Sequence, residues 1–127
     1  MDEMTVRALA DNYFSNLRPT GIVITEDVVL AQAIKATRYY EGFGGLELFD
    51  DRVNLIDEDT PLTKSELAVI SPLFELYVER ENALILEASR ALGVEVYGRT
   101  VSEINNDIVQ KEQEIQHLAF QFDIITI

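Results

Sequence analysis

The residues Thr63-Lys64-Ser65-Glu66 constrain the chain more than any other four. A threonine followed three positions later by glutamate is a capping box, in which each side chain takes a backbone N–H left open at the start of a helix. Behind it, "LAVISPLFELYVERENALILEASRAL" runs to Gly93 with a single helix breaker, Pro72. The spacing predicts one helix about 40 Å long, at a rise of about 1.5 Å per residue. Pro72 should kink it, because proline has no N–H to give the preceding turn. Gly93 should close it as a left-handed C′ residue, with Val94 packing back.

Ile70, Phe74, Tyr77, Leu84, Ala88 and Leu92 share one face of this helix, and Glu81 falls among them. A carboxylate on an apolar stripe is costly unless paired, so Glu81 reads as one half of a structural ion pair, with Arg38, Arg90 and Arg99 as candidate partners. A second capping box, Thr100 to Glu103, opens the last helix, whose stripe is Ile104, Ile108, Ile115 and Leu118 with Lys111 in the remaining slot. The connection "GVEVYGR" is short, and the two helices should pack as an antiparallel hairpin.

Ahead of this hairpin, Val6, Leu9, Tyr13 and Leu17 mark a short amphipathic helix ended by Pro19 and Gly21. "GIVI" reads as extended. Thr25 then looks like the N-cap of a helix with Glu26 and Asp27 in its first turn, failing at Gly42. Residues 42–61 have no helical period. "LELF" and "RVNLI" around Asp50-Asp51 are compatible with a small hairpin, and a segment of this length is typically an interaction arm. The fold expected is mainly α: a small helical bundle over 1–119 as a single helical domain, with the arm at 42–61 and an extended C-terminal tail at 120–127.

Charge and composition narrow the function. Ten basic residues against 23 acidic give a net charge of −13, which opposes tight binding of nucleic acid but suits a surface past which DNA slides. There is no cysteine, hence no disulfide framework and no thiolate metal site. Neither a signal peptide nor an uninterrupted apolar run of membrane-spanning length is visible, and a soluble cytoplasmic protein with no membrane partner is expected.

Catalytic and metal constellations are poorly represented. "EIQH", Glu114 to His117, has the spacing of a carboxylate-bundle ligand pair, but such sites need two of these pairs, and His117 is the only histidine and falls opposite the apolar stripe. "DEDT" at 57–60 and Asp50-Asp51 lack the alternating oxygen ligands, glycine and terminal glutamate of a calcium loop. "GFGG" lacks the lysine and setting of a phosphate loop. No nucleophile stands beside a base, so no enzyme, no cofactor and no metal are expected.

The chain stops on "FQFDIITI". Phe120, Phe122 and Ile124 alternate with polar residues in a β-branched and aromatic setting, which reads as a strand. A strand without a neighbour in sequence is suited to joining another molecule's sheet or groove, or to folding back beside "GIVI" or the 46–56 segment.

The run "LTKSELAVISPLFELYVERENALILEASRALGVEVYGRTVSEINNDI", followed by "AFQFDIITI", resembles the small head-completion or head-to-tail connector (neck adaptor) proteins of tailed bacteriophages. The likeness covers Leu62 to Ile127, about half of the chain, and carries no catalytic signature. It implies a structural virion protein of the neck region, made in the host cytoplasm, which forms a homo-oligomeric ring under the portal and prolongs the DNA channel. The implied partners are the portal protein, neighbouring copies in the ring and a downstream neck or tail protein, with genomic DNA passing through unbound. Phe120, Phe122, Ile124, Ile125 and Ile127 would be the portal-docking residues, and the arm would meet neighbours. Charge alone also fits a small acidic inhibitor that mimics DNA on a basic partner.

Overall fold

The computed structural model of the chain describes residues 4–49, 55–91, 93 and 99–126, with side chains described for all but 91 and 119–126. It is mainly helical. Strand β1 (Met4–Thr5) leads into α1 (Val6–Asn12), which loosens into a π-helical turn at Tyr13–Leu17. Helix α2 (Glu26–Gly44) follows, then β2 (Pro61–Leu62), α3 (Lys64–Ala91) and α4 (Val101–Thr126).

The N-terminus is stitched to the segment before α3. β1 and β2 pair antiparallel, with Met4 opposite Leu62 and Thr5 opposite Pro61. Val6 and Arg7 donate their N–H groups to the Thr60 and Glu58 carbonyls at 3.1 and 2.8 Å, and the Arg7 guanidinium also meets the Glu58 carboxylate. Thr5 caps α1 through its hydroxyl, which accepts from Ala8 N at 3.1 Å. Of the expected stripe, Val6, Leu9 and Tyr13 are buried, but Leu17 is exposed.

"GIVI" forms no ladder. Instead Asn82 of α3 serves this stretch as a strand neighbour would: Val23 N–H donates to Asn82 Oδ1 at 2.8 Å, and Asn82 Nδ2 donates to the Gly21 carbonyl at 2.9 Å. An amide side chain carries one donor and one acceptor in the pattern of a backbone peptide, which is why it can do this. Thr25 takes the extended N-cap backbone of α2, with Glu26 and Asp27 in the first turn. Asp27 has its carboxyl held below the usual range, first by the Thr25 hydroxyl and then by its own backbone N–H.

α2 does not fail at Gly42. It continues to Gly44, and the positive φ needed to leave the helix falls at Gly45 (φ 67°). An interior helical glycine costs about 1 kcal/mol, which tertiary contacts can offset, whereas φ > 0 selects glycine far more strongly. The expected hairpin around Asp50-Asp51 lies largely outside the described residues. Its described flanks at 46–49 and 55–57 are turn and irregular backbone.

The capping box of α3 forms as expected: Thr63 N–H donates to Glu66 Oε1 at 2.8 Å and Glu66 N–H to Thr63 Oγ1 at 3.3 Å. α3 runs without interruption through Pro72 and is followed by Gly93 at φ 91°, while Val94 lies outside the described residues. Thr100 and Glu103 form the second box, with both reciprocal bonds at 3.2 Å. α3 and α4 are antiparallel, because Val101 N–H donates to Glu87, Arg80 to Asn105 and Tyr77 to Glu112, one helix descending in number as the other ascends.

The core lies where α1, α2, α3 and α4 meet. Val29, Ala33 and Ala36 of α2 pack toward Ile70, Leu73, Phe74 and Tyr77 of α3, with Ile104, Ile108 and Ile115 of α4 closing the layer. Tyr13 lies edge-on to Phe74, with ring centroids 5.2 Å apart. The expected α3 stripe holds at Ile70, Phe74 and Tyr77 but not at Leu84 or Ala88, and Leu92 lies outside the described residues. Leu84 and Ala88 are exposed, while Asn82 and Ala83 are buried. The covered face turns because Asn82 is drawn toward the loop at 21–23.

Candidate functional site

The five residues expected to dock a partner fall on or beside the end of α4. Phe120, Phe122, Ile124 and Ile125 belong to a backbone that stays helical to Thr126, which corrects the extended strand expected at 120–127; Ile127 lies outside the described residues. The physical reason is an ambiguity of short apolar windows. Phe120 and Ile124 are four apart and Phe122 and Ile125 three apart, so the same residues satisfy a helical stripe. A helix already nucleated at Thr100 adds residues without a new nucleation cost. Ile115 is the last described residue that α4 buries, and Leu118 is already 40% exposed.

Glu81 is half-buried, and its described contact is an amide rather than an arginine: Gln32 Nε2 donates to Glu81 Oε1 at 3.3 Å. Arg99, one of the expected partners, is engaged by Glu79 and Asp107. Among the described residues, what joins Glu81 to its surroundings is this hydrogen bond between α2 and α3. Gln32 itself is buried, and among the described residues its Oε1 has no partner.

Glu114 and His117 are both exposed, and Glu114 pairs with Lys111 at 2.9 Å. Among the described residues no three acidic or histidine side chains converge on a point that would hold a metal. In the "DEDT" loop, Asp57 Oδ1 accepts from Asp59 N–H at 2.9 Å, and Thr60 Oγ1 accepts from Asp57 N–H at 2.9 Å. The loop thereby folds on itself as a turn beneath α1. The arm at 42–61 is anchored at Glu66, whose second carboxylate oxygen accepts from Glu47 N–H at 2.8 Å.

A cavity of about 310 Å³ opens where the π turn and the loop after it meet α3 and α4. Tyr13, Ile22, Glu75, Glu79, Asn82 and Arg99 are among the residues that line it. Arg99 donates Nε and Nη2 to the two Glu79 oxygens at 3.0 and 2.7 Å, and Nη1 to Asp107. Burial, then the nearby Glu75 and Glu79 carboxylates, push the Tyr13 hydroxyl up to about 12, so it stays protonated at neutral pH. Burial also raises the Glu75 carboxyl. Sequence reading did not find this site. Its residues come from three separate stretches, and no local spacing within any one of them signals it.

The fold and these features define a small helical bundle built on a capped antiparallel hairpin, with a strongly acidic surface. No family model matches the chain, and no curated protein or solved structure matches it. No described helix is long and apolar enough to cross a membrane.

Proposed function

We propose that the chain is a head-to-tail connector of a tailed bacteriophage: a subunit that rings the channel beneath the portal, extends it, and joins the head to the neck or tail. The observation that carries this reading is the course of α4, which continues past Ile115 to Thr126 and leads the apolar residues Phe120, Phe122, Ile124 and Ile125 away from the last described core contact. Such a helix end is suited to laying an apolar face into a partner's groove, by side-chain burial rather than strand addition. The reading is further supported by the resemblance of Leu62 to Ile127 to such connectors, by the stiff α3–α4 hairpin that a ring subunit needs, and by the net charge of −13, which keeps passing DNA from adhering.

That same charge favours a second reading, a small acidic inhibitor that occupies the basic groove of a nucleic-acid-binding protein. Affinity capture from the native source separates the two when the full chain is compared with one ending at Ala119. The connector reading expects a portal protein that is lost with the truncation. The inhibitor reading expects a basic nucleic-acid enzyme retained by both forms and released by salt.

A further inference from the structure

The cavity beside Tyr13 has the size of sites that take small organic groups. Pro19, Ile22, Ala83 and Ile104 give it an apolar wall, and Glu75 and Glu79 an acidic one. Tyr13 is only 3% exposed as a residue, yet its hydroxyl is not among the sealed side-chain atoms that lack a partner, so the oxygen is open to the cavity. That hydroxyl lies within the fields of Glu75 and Glu79 and, as a smaller opposing influence, of the Arg18 guanidinium. The remaining polar groups are engaged: Asn82 spends both amide atoms on the 21–23 backbone, and the Arg99 charge is met by Glu79 and Asp107. A guest therefore finds one phenolic hydroxyl, the Glu75 carboxylate and an apolar surface. An anionic guest would face two carboxylates, with Arg99, the cation among the described lining residues, already neutralised.

We propose that this cavity binds an organic cation on a short apolar stem, an alkylguanidinium or alkylammonium. Its head lies between the Tyr13 hydroxyl and Glu75, and its stem lies against Ile22 and Ala83. Such a group is the end of an arginine or lysine side chain from a partner, or a free diamine. The desolvated half of the site strengthens the ion–carboxylate contact relative to one in open water. The inference stands apart from the connector reading.

The test is a titration of the full chain with n-butylguanidinium and, separately, putrescine, followed by amide chemical shifts. Saturable shifts should appear at Gly21, Ile22, Ala83 and Ile104. Glu75→Gln should weaken binding about fivefold, as loss of one charge contact in a half-open site does. Tyr13→Phe should weaken it about threefold while keeping the ring that packs on Phe74. Glu114→Gln, about 15 Å along α4 from the cavity-lining Ile104, should leave it unchanged. Equal affinity for the two probes assigns the site to a side chain, and putrescine tighter by about tenfold assigns it to a diamine. The proposal fails if no saturable shift has a Kd below about 10 mM. It fails equally if Glu114→Gln weakens binding as much as Glu75→Gln, which would make the attraction a diffuse property of an acidic surface.

Discussion

Tyr77 donates its phenolic proton to Glu112 Oε2 at 2.6 Å, across the interface between α3 and α4. Tyr77 is 1% exposed, and the cationic groups of Lys35 and Arg80 lie 5.1 and 5.2 Å from its ring centroid. The Glu112 carbonyl accepts from Tyr39 of α2 at 3.2 Å, and Tyr39 Oη in turn accepts from Gln116 Nε2 at 2.8 Å. One node thus ties three helices. Burial, then the bond to Glu112, raise the Tyr77 hydroxyl far above the ordinary phenol range.

Tyr77→Phe keeps the packing and removes only this bond, leaving a half-buried carboxylate without its donor. Stability should fall by about 1–2 kcal/mol, the range for a hydrogen bond to a charged group in partial contact with solvent. Urea unfolding measures it. In the double variant with Glu112→Gln the two losses should be clearly less than additive, because the residues touch.

Glu66 serves two N–H groups at once, Thr63 in its own capping box and Glu47 beyond the end of α2. Glu66→Ala should cost about 1–2 kcal/mol, the upper part of the range for a lost cap, because two donors lose their acceptor. Hydrogen exchange gives the sharper reading. The amides of both Thr63 and Glu47 should lose protection together, and loss at Thr63 alone would mean that the arm is held by other contacts.

Burial, then the Glu75 and Glu79 carboxylates, push the Tyr13 hydroxyl from its ordinary 10.0 up to about 12 in the folded chain. The folded state therefore holds this proton more tightly than the unfolded state does. Its contribution to stability is complete below pH 10 and is lost as pH rises through about 12. Urea midpoints should fall across that window, and Tyr13→Phe should flatten the fall, leaving the parts due to Tyr40 and Tyr77, whose hydroxyls are also raised. Equal slopes in the two proteins would show that the hydroxyl is already free of its surroundings.

Features governed by contacts three or four residues apart were legible in the sequence. Both capping boxes, the left-handed Gly93 and the Ile104, Ile108, Ile115 stripe depend on local spacing alone. The end of α2 was not, because three glycines offered an exit and the choice of Gly45 goes with Glu47 reaching Glu66 in another helix. The outer half of α3 was misjudged for a similar reason: Asn82 turns inward to complete the backbone of a loop some sixty positions earlier, and Leu84 and Ala88 are left in solvent. The tail shows the limit of periodicity itself, since eight residues rich in apolar side chains satisfy both a strand and a helix. The cavity was hidden because it exists only where three distant stretches meet.

Binding of the purified full chain to isolated portal rings, measured across salt from about 0.1 to about 0.5 M against a chain ending at Ala119, tests the connector reading most directly. The account predicts that the full chain binds, that salt changes its affinity little because apolar burial carries the contact, and that the shortened chain does not bind. Equal binding by the two forms, or loss of all binding at the higher salt, would contradict it.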